Sequence, residues 1–128
     1  MKKAINTKKA PLPVGPYNQA VLVDKTLYIS GQVALNPEYN ELIKGSIEDE
    51  TKQIMKNIKS ILNEAGLDFN NVVRSKIYLT DMNNFSKVNQ VYASYFKKNH
   101  EPARTTLEVS GLPLGVDVEI DMIAVSID

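Results

Sequence analysis

Apolar and polar residues alternate most regularly at positions 27–33, Leu-Tyr-Ile-Ser-Gly-Gln-Val, which puts Leu27, Ile29, Gly31 and Val33 on one side and Tyr28, Ser30 and Gln32 on the other. Alternation of this kind predicts a half-buried β-strand. Gln19 to Val23 precedes it, and the two-residue break Asp24-Lys25 is short enough to close a hairpin without the customary glycine. A glycine inside a strand marks a bulge or a place where another group approaches the backbone, so Gly31 has a ligand among its candidate neighbours. Farther on, Val73, Ser75, Ile77 and Leu79 alternate with Arg74, Lys76, Tyr78 and Thr80, which predicts another strand. Strand-like runs return at Arg104–Val109 and from Asp117 to Ile127, on either side of a Gly and Pro break at 110–116.

Between these runs the spacing becomes helical. Ile47, Thr51, Ile54, Met55, Ile58, Ile61, Leu62 and Ala65 make one stripe, with Lys52, Lys56, Lys59 and Asn63 on the solvated side. Ser46 with Asp49 three residues later approximates a capping box at its start, and Gly66 supplies its stop. A second helix is expected over 84–97, capped from Asp81, with Phe85, Val88, Val91, Tyr92, Tyr95 and Phe96 as an apolar stripe that reads as core. Pro102 separates it from the next strand. The order strand, strand, strand, helix, strand, helix, strand, strand implies an α+β domain with two helices on one face of a mixed sheet. The other face needs a cover, most simply another subunit.

Composition narrows the function classes. The 128 residues suit one domain spanning 1–128, which buries roughly two-thirds of the surface of its unfolded chain. Fifteen basic and fifteen acidic residues cancel, and no block of five like charges occurs, so the footprint of a nucleic-acid binder is missing. Small molecules or proteins are the expected partners. The absence of cysteine excludes a disulfide framework, a thiolate nucleophile and thiolate metal ligation, and fits a reducing cytoplasm. Lys2-Lys3 is followed by Pro11 and Pro13 and not by an apolar stretch, so this is no secretory signal, and no run approaches a membrane span. The glycosylation match Asn84-Phe85-Ser86 is read as chance.

Arg104 and Glu119 are the leading chemical candidates. A guanidinium fork holds a carboxylate bidentately, and a half-buried Glu exchanges protons with water near neutrality, which suggests a small anionic substrate and an acid–base step. The alternative is that the two pair with each other or face solvent. Asp117, Glu119 and Asp121 share one strand face, an arrangement that raises carboxyl pKa values but spaces the groups too widely to wrap a metal ion. Were the Arg104 run and the last strand a direct hairpin, Glu119 would lie opposite Leu107. The single histidine, His100, sits in a polar loop and reads as a surface residue.

Four segments then carry a resemblance along the whole chain: Gly15-Pro16-Tyr17; Tyr28-Ile29-Ser30-Gly31-Gln32; Val88-Asn89 with Tyr92; and Pro102-Ala103-Arg104 through Leu112-Pro113 to Val118-Glu119-Ile120. In this order and spacing the sequence resembles the Rid (YjgF) family of reactive-intermediate deaminases, which hydrolyse enamines and imines. The resemblance implies a chorismate-mutase-like fold, a homotrimer and active sites between subunits. It implies that Arg104 holds the carboxylate of a 2-imino acid and Glu119 orients or activates water. Tyr17, Ser30 and Asn89 would line the pocket, with backbone groups of Gly31 and Thr106 completing it. No metal or cofactor is implied. Thr106 stands where some members carry cysteine, so this chain offers no thiol there. The alternatives are a non-catalytic sensor of small carboxylates and the ribonuclease or translation-inhibitor activities associated with some relatives.

Overall fold

The computed structural model describes residues 1–127. Strands β1 (Lys2–Ile5), β2 (Ala20–Val23) and β3 (Thr26–Gln32) are followed by a two-stranded ribbon of β4 (Leu35–Asn36) and β5 (Glu41–Leu42), then helix α1 (Ile47–Glu64). Strand β6 (Val72–Leu79), helix α2 (Phe85–Ala93), β7 (Ala103–Glu108) and β8 (Val118–Val125) complete the chain. The main sheet has the order β1-β2-β3-β8-β6-β7, and only β6 and β7 run parallel. It is the α+β architecture expected, with the small ribbon as an addition.

Local chemistry accounts for the element ends. Val23 pairs with Thr26 around Asp24-Lys25, and Asp24 takes the left-handed conformation at φ 53 that an Asx side chain tolerates. Ser46 Oγ accepts from the Asp49 amide at 3.0 Å, capping α1. At its other end Gly66, at φ 75, lets the Leu67 amide reach back to the Leu62 carbonyl at 2.9 Å. Helix α2 is shorter than the expected 84–97. After Ala93 the amides of Ser94, Tyr95 and Phe96 bond three residues back, tightening the chain so that Tyr95 and Phe96 pack on Phe69 with ring centroids 5.4 and 5.5 Å apart. Asp81 caps a single 3₁₀ turn, Met82–Asn84, ahead of the helix.

The core lies between the helices and one sheet face, where Leu27, Ile29, Ile77, Leu79, Val118, Ile120, Met122 and Ala124 meet Ile54, Met55, Ile58, Ile61 and Leu62 of α1. Two bulges decide which residues reach it. Pairing slips between Ile29 and Gln32, so Gln32 is buried and Gly31 exposed, the reverse of simple alternation. A second slip between Val72 and Arg74 buries Val72 and turns Val73 outward. The opposite face carries Tyr28, Tyr78, Ile123 and Leu107 beside Lys76, Glu119 and Asp121. Tyr28 is half exposed there, in an apolar and charged mixture that no second layer covers among the described residues.

Candidate active site

The edge strand β7 and helix α2 build the first group of residues. Arg104 pairs in register with Ser75 and Thr106 with Ile77, so both point to the helix side of the sheet. There Arg104 Nη1 donates to Asn89 Oδ1 at 2.6 Å, while the guanidinium carbon stands 5.5 Å from the Phe85 ring centroid and 5.1 Å from that of Tyr92. Tyr92 is in turn fixed by its hydroxyl, which donates to Ser75 Oγ at 2.8 Å. Ile77, Leu79 and Val88 complete the crevice. The result is a half-buried, pre-oriented fork whose Nη1–Asn89 bond is its one side-chain hydrogen bond among the described residues, leaving N–H donors for an anion.

Glu119 anchors the second group, on the other face. It pairs with Tyr78 across β6 and β8, and its carboxyl lies so close to Gly31 that a Cβ there would be 2.5 Å from Oε2. The close approach expected at Gly31 is therefore real, and the approaching group is the Glu119 side chain. Around it is a cavity of about 180 Å³ with Leu12, Val14, Tyr17, Gln32 and Leu114 in its wall. Burial pushes the Glu119 carboxyl above its usual range, and the Asp121 carboxylate adds to the effect. Asp121 accepts from the Tyr78 hydroxyl at 2.8 Å, and Tyr78 is pushed up to about 12 by burial first and by that bond second. Among the described residues no hydrogen-bond donor reaches the Glu119 carboxyl, which leaves its lone pairs for water or substrate. Ser30 Oγ donates to the Asn18 carbonyl at 2.7 Å, fixing the strand next to Gly31.

The sequence candidates thus fall into two clusters, Arg104 with Asn89 and Thr106, and Glu119 with Tyr17 and Gly31, while Ser30 flanks Gly31 with its hydroxyl turned to the Asn18 carbonyl. Strand β6 separates β7 from β8, so the conditional hairpin that would set Glu119 opposite Leu107 is not formed; Tyr78 pairs with both instead. Three residues along and two strands across place Arg104 and Glu119 about 14 Å apart at their backbones, on opposite faces. They do not pair with each other. Of the three carboxylates, Glu119 and Asp121 share the open face as expected, whereas the Asp117 amide turns to Glu50. His100 is exposed.

Several contributors have no signal in the local pattern. Phe85 and Tyr92 sit in an apolar stripe, yet both bracket the Arg104 guanidinium. Gln19, buried at 1% exposure, accepts from the Thr7 amide at 2.7 Å and donates to the carbonyls of Thr7, Ala10 and Pro11, which fastens the segment walling the Glu119 cavity. A glutamine at a strand start suggests no such role; an exposed Leu12 and Val14 between prolines is the only hint that this segment lines something.

The family model described as Endoribonuclease L-PSP matches residues 7–126. The chain belongs to the Rid family. A mouse Rid protein named 2-iminobutanoate/2-iminopropanoate deaminase is 50% identical over 125 residues, covering 98% of this chain and 92% of that one. A RutC family protein of Pyrococcus horikoshii is 48% identical over 97% of this chain and 98% of its own. Among solved structures, RidA from an Antarctic Psychrobacter superposes with a TM-score of 0.92 at 40% identity, covering 97% and 99% of the two chains. Escherichia coli TdcF with bound serine gives 0.92 at 32% identity, covering 98% and 99%. The fold and the family expected from the four motifs are therefore established, and related Rid proteins bear names that describe imine deamination.

Proposed function

We propose that this Rid protein hydrolyses 2-imino acids to 2-oxo acids and ammonia, acting as a homotrimer whose sites combine Arg104, Asn89 and Thr106 of one subunit with Tyr17, Ser30, Gly31 and Glu119 of the next. The observation that carries the reading is the split itself. One face presents a cation with spare donors and no acid–base group beside it, the other a proton-exchanging carboxyl in a cavity with no cation, and the sheet face between them lacks a cover. Joining unlike surfaces head to tail closes into a ring and completes both clusters at once. The deaminase names of relatives at 46–50% identity support the reaction, and serine in TdcF is a ligand with the same carboxylate and 2-nitrogen as the proposed substrate.

In the reaction the Arg104 fork, held by Asn89 and the two rings, grips the substrate carboxylate and fixes the imine carbon. Glu119 takes a proton from water as the oxygen adds to that carbon and delivers it to the imine nitrogen, giving a carbinolamine; it then takes the hydroxyl proton and delivers it to the amine as the C–N bond breaks, releasing ammonia and leaving the C=O. The imine supplies its own electrophilicity, so positioning and one carboxyl that shuttles protons in both steps suffice. Enamines such as 2-aminoacrylate enter by tautomerising to the imine. The rival reading, a carboxylate sensor without catalysis, uses the same arginine but has no task for Glu119.

The test generates imines in situ with a serine or threonine dehydratase and follows 2-oxo acid release. Arg104→Ala and Glu119→Gln should each remove most of the acceleration, and subunits of the two variants mixed at equal amounts should recover about one quarter of the sites, since a hybrid interface can be intact. A monomeric mass in light scattering, or no recovery in mixed assemblies of confirmed hybrid composition, would refute the shared site. Wild-type protein that leaves the uncatalysed rate unchanged would refute the activity.

A further inference from the structure

One buried carboxyl has no part in the reaction above. Glu50, in the first turn of α1, is 7% exposed, and its Oε1 accepts from the Asp117 amide at 3.4 Å. The Asp117 carboxyl stands near enough to the Glu50 side chain to disfavour a charge on it. The Asp117 carbonyl accepts from the Thr80 amide at 3.2 Å. Asp117 is therefore gripped by α1 on one side and by the end of β6 on the other, and it is the last residue before the strand that carries Glu119.

The loop that Asp117 terminates is conformationally expensive. Leu114 at φ 61 and Gly115 at φ 67 are consecutive left-handed residues, and a leucine adopts that geometry only where its surroundings hold it. Leu114 lines two cavities, the one around Glu119 and a second of about 320 Å³ around Glu50. A shift at Asp117 is thus transmitted to the wall of the site.

We infer that Glu50 is a positioning residue, whose carboxyl clamps Asp117 and so holds the 112–117 loop with Leu114, 61% exposed, at the rim of the Glu119 cavity. This rests on the reading of Glu119 as the reacting centre. The charged groups around Glu50 are Asp117 from the loop and Lys44 from the segment ahead of α1, with Asp49 of its own helix turned to solvent. Burial first, and the Asp117 carboxyl second, raise Glu50 to about 7, so Glu50 loses its proton near neutrality and the like charge on Asp117 opens the clamp as pH rises through that value.

Hydrogen–deuterium exchange of amides 112–118, corrected for intrinsic rates, tests the clamp without reference to activity. In the wild type protection should fall as pH passes about 7. Below that pH Glu50→Ala should have about tenfold less protection there than the wild type, with no further fall above it, while α1 and β6 amides keep theirs. Glu50→Gln, which retains an acceptor for the Asp117 amide and offers its own N–H to the Asp117 carboxylate, should stay protected and lose the pH dependence. In dehydratase-coupled assays Glu50→Gln should likewise lose the alkaline decline in kcat/KM shown by the wild type. Unchanged loop protection in Glu50→Ala, or a wild-type pH response in Glu50→Gln, would overturn the inference; if Glu50→Ala does not fold, the Glu50→Gln comparison alone decides. Absence of imine hydrolysis in the wild type would remove the reading of Glu119, and the exchange result would still decide whether Glu50 clamps the loop.

Discussion

Replacing Gly31 by alanine adds one carbon, 2.5 Å from Glu119 Oε2, 2.8 Å from its carboxyl carbon and 3.1 Å from Cγ. Optimal contact between such atoms begins at about 3.5 Å, so the carboxyl must retreat by about 1 Å. Gly31 is exposed and does not hold a left-handed φ, hence the backbone accepts alanine and the whole perturbation falls on the Glu119 side chain. A misplacement of this size in a reacting group costs about a hundredfold, or about 2.7 kcal/mol of transition-state stabilisation. Dehydratase-coupled kinetics should show kcat/KM lower by that factor, with the denaturation midpoint and oligomer mass close to wild type. In a Glu119→Gln background the same change should cost little, because the group it displaces is already disabled; the two effects are strongly non-additive. A folded Gly31→Ala protein with near-normal kcat/KM would show that the observed Glu119 position is not the reacting one. Equal losses in both backgrounds would show that the damage does not pass through Glu119.

Arg104→Lys should be nearly as damaging as Arg104→Ala, since an ammonium keeps the charge but not the fork; losing one partner of a desolvated charge pair costs ~2–5 kcal/mol, or roughly 30-fold to several thousand-fold in kcat/KM. Near-normal kinetics in a folded Arg104→Lys would exclude a bidentate clamp. Gln19→Ala removes four hydrogen bonds of a buried amide and should cost about 2–4 kcal/mol in urea denaturation with an unchanged m-value. Asp121→Asn removes the negative neighbour that helps raise Glu119, so the acid limb of the kcat/KM profile should move to lower pH; a stationary limb would dissociate Asp121 from that titration. Because folded Glu50 binds its proton more tightly than the unfolded chain, its contribution to stability is complete below pH 4.5 and declines as pH rises to about 7, and denaturation midpoints of Glu50→Gln should lack this decline.

Periodicity made the helices and most strands legible because each buries one face: Ile54, Ile58, Ile61 and Leu62 repeat at helical spacing and are all fully buried. The bulges at Ile29–Gln32 and Val72–Arg74 were not legible, since an extra residue in one strand depends on its partner's register and leaves no trace in the strand's own pattern. Nor could alternation in β7 reveal that it pairs parallel to β6, which is what separates Arg104 from Glu119. Gly31 was legible as a close approach; that Glu119 is what approaches required the β3–β8 pairing. The cavity walls came from Leu12, Val14 and Leu114, loop residues whose apolar character has no period to read.

The placement of Arg104 and Glu119 on opposite faces also bears on how such a gene can diverge. A lesion in one cluster leaves the other intact within the same chain, because no side chain is shared between them. With a site shared between subunits as proposed, one copy could, after duplication, lose its arginine side and the other its glutamate side, each still serving the neighbour that retains the missing half. The two copies would then be required together, and an assembly of identical chains would become an obligate mixed one without the gain of a single new contact.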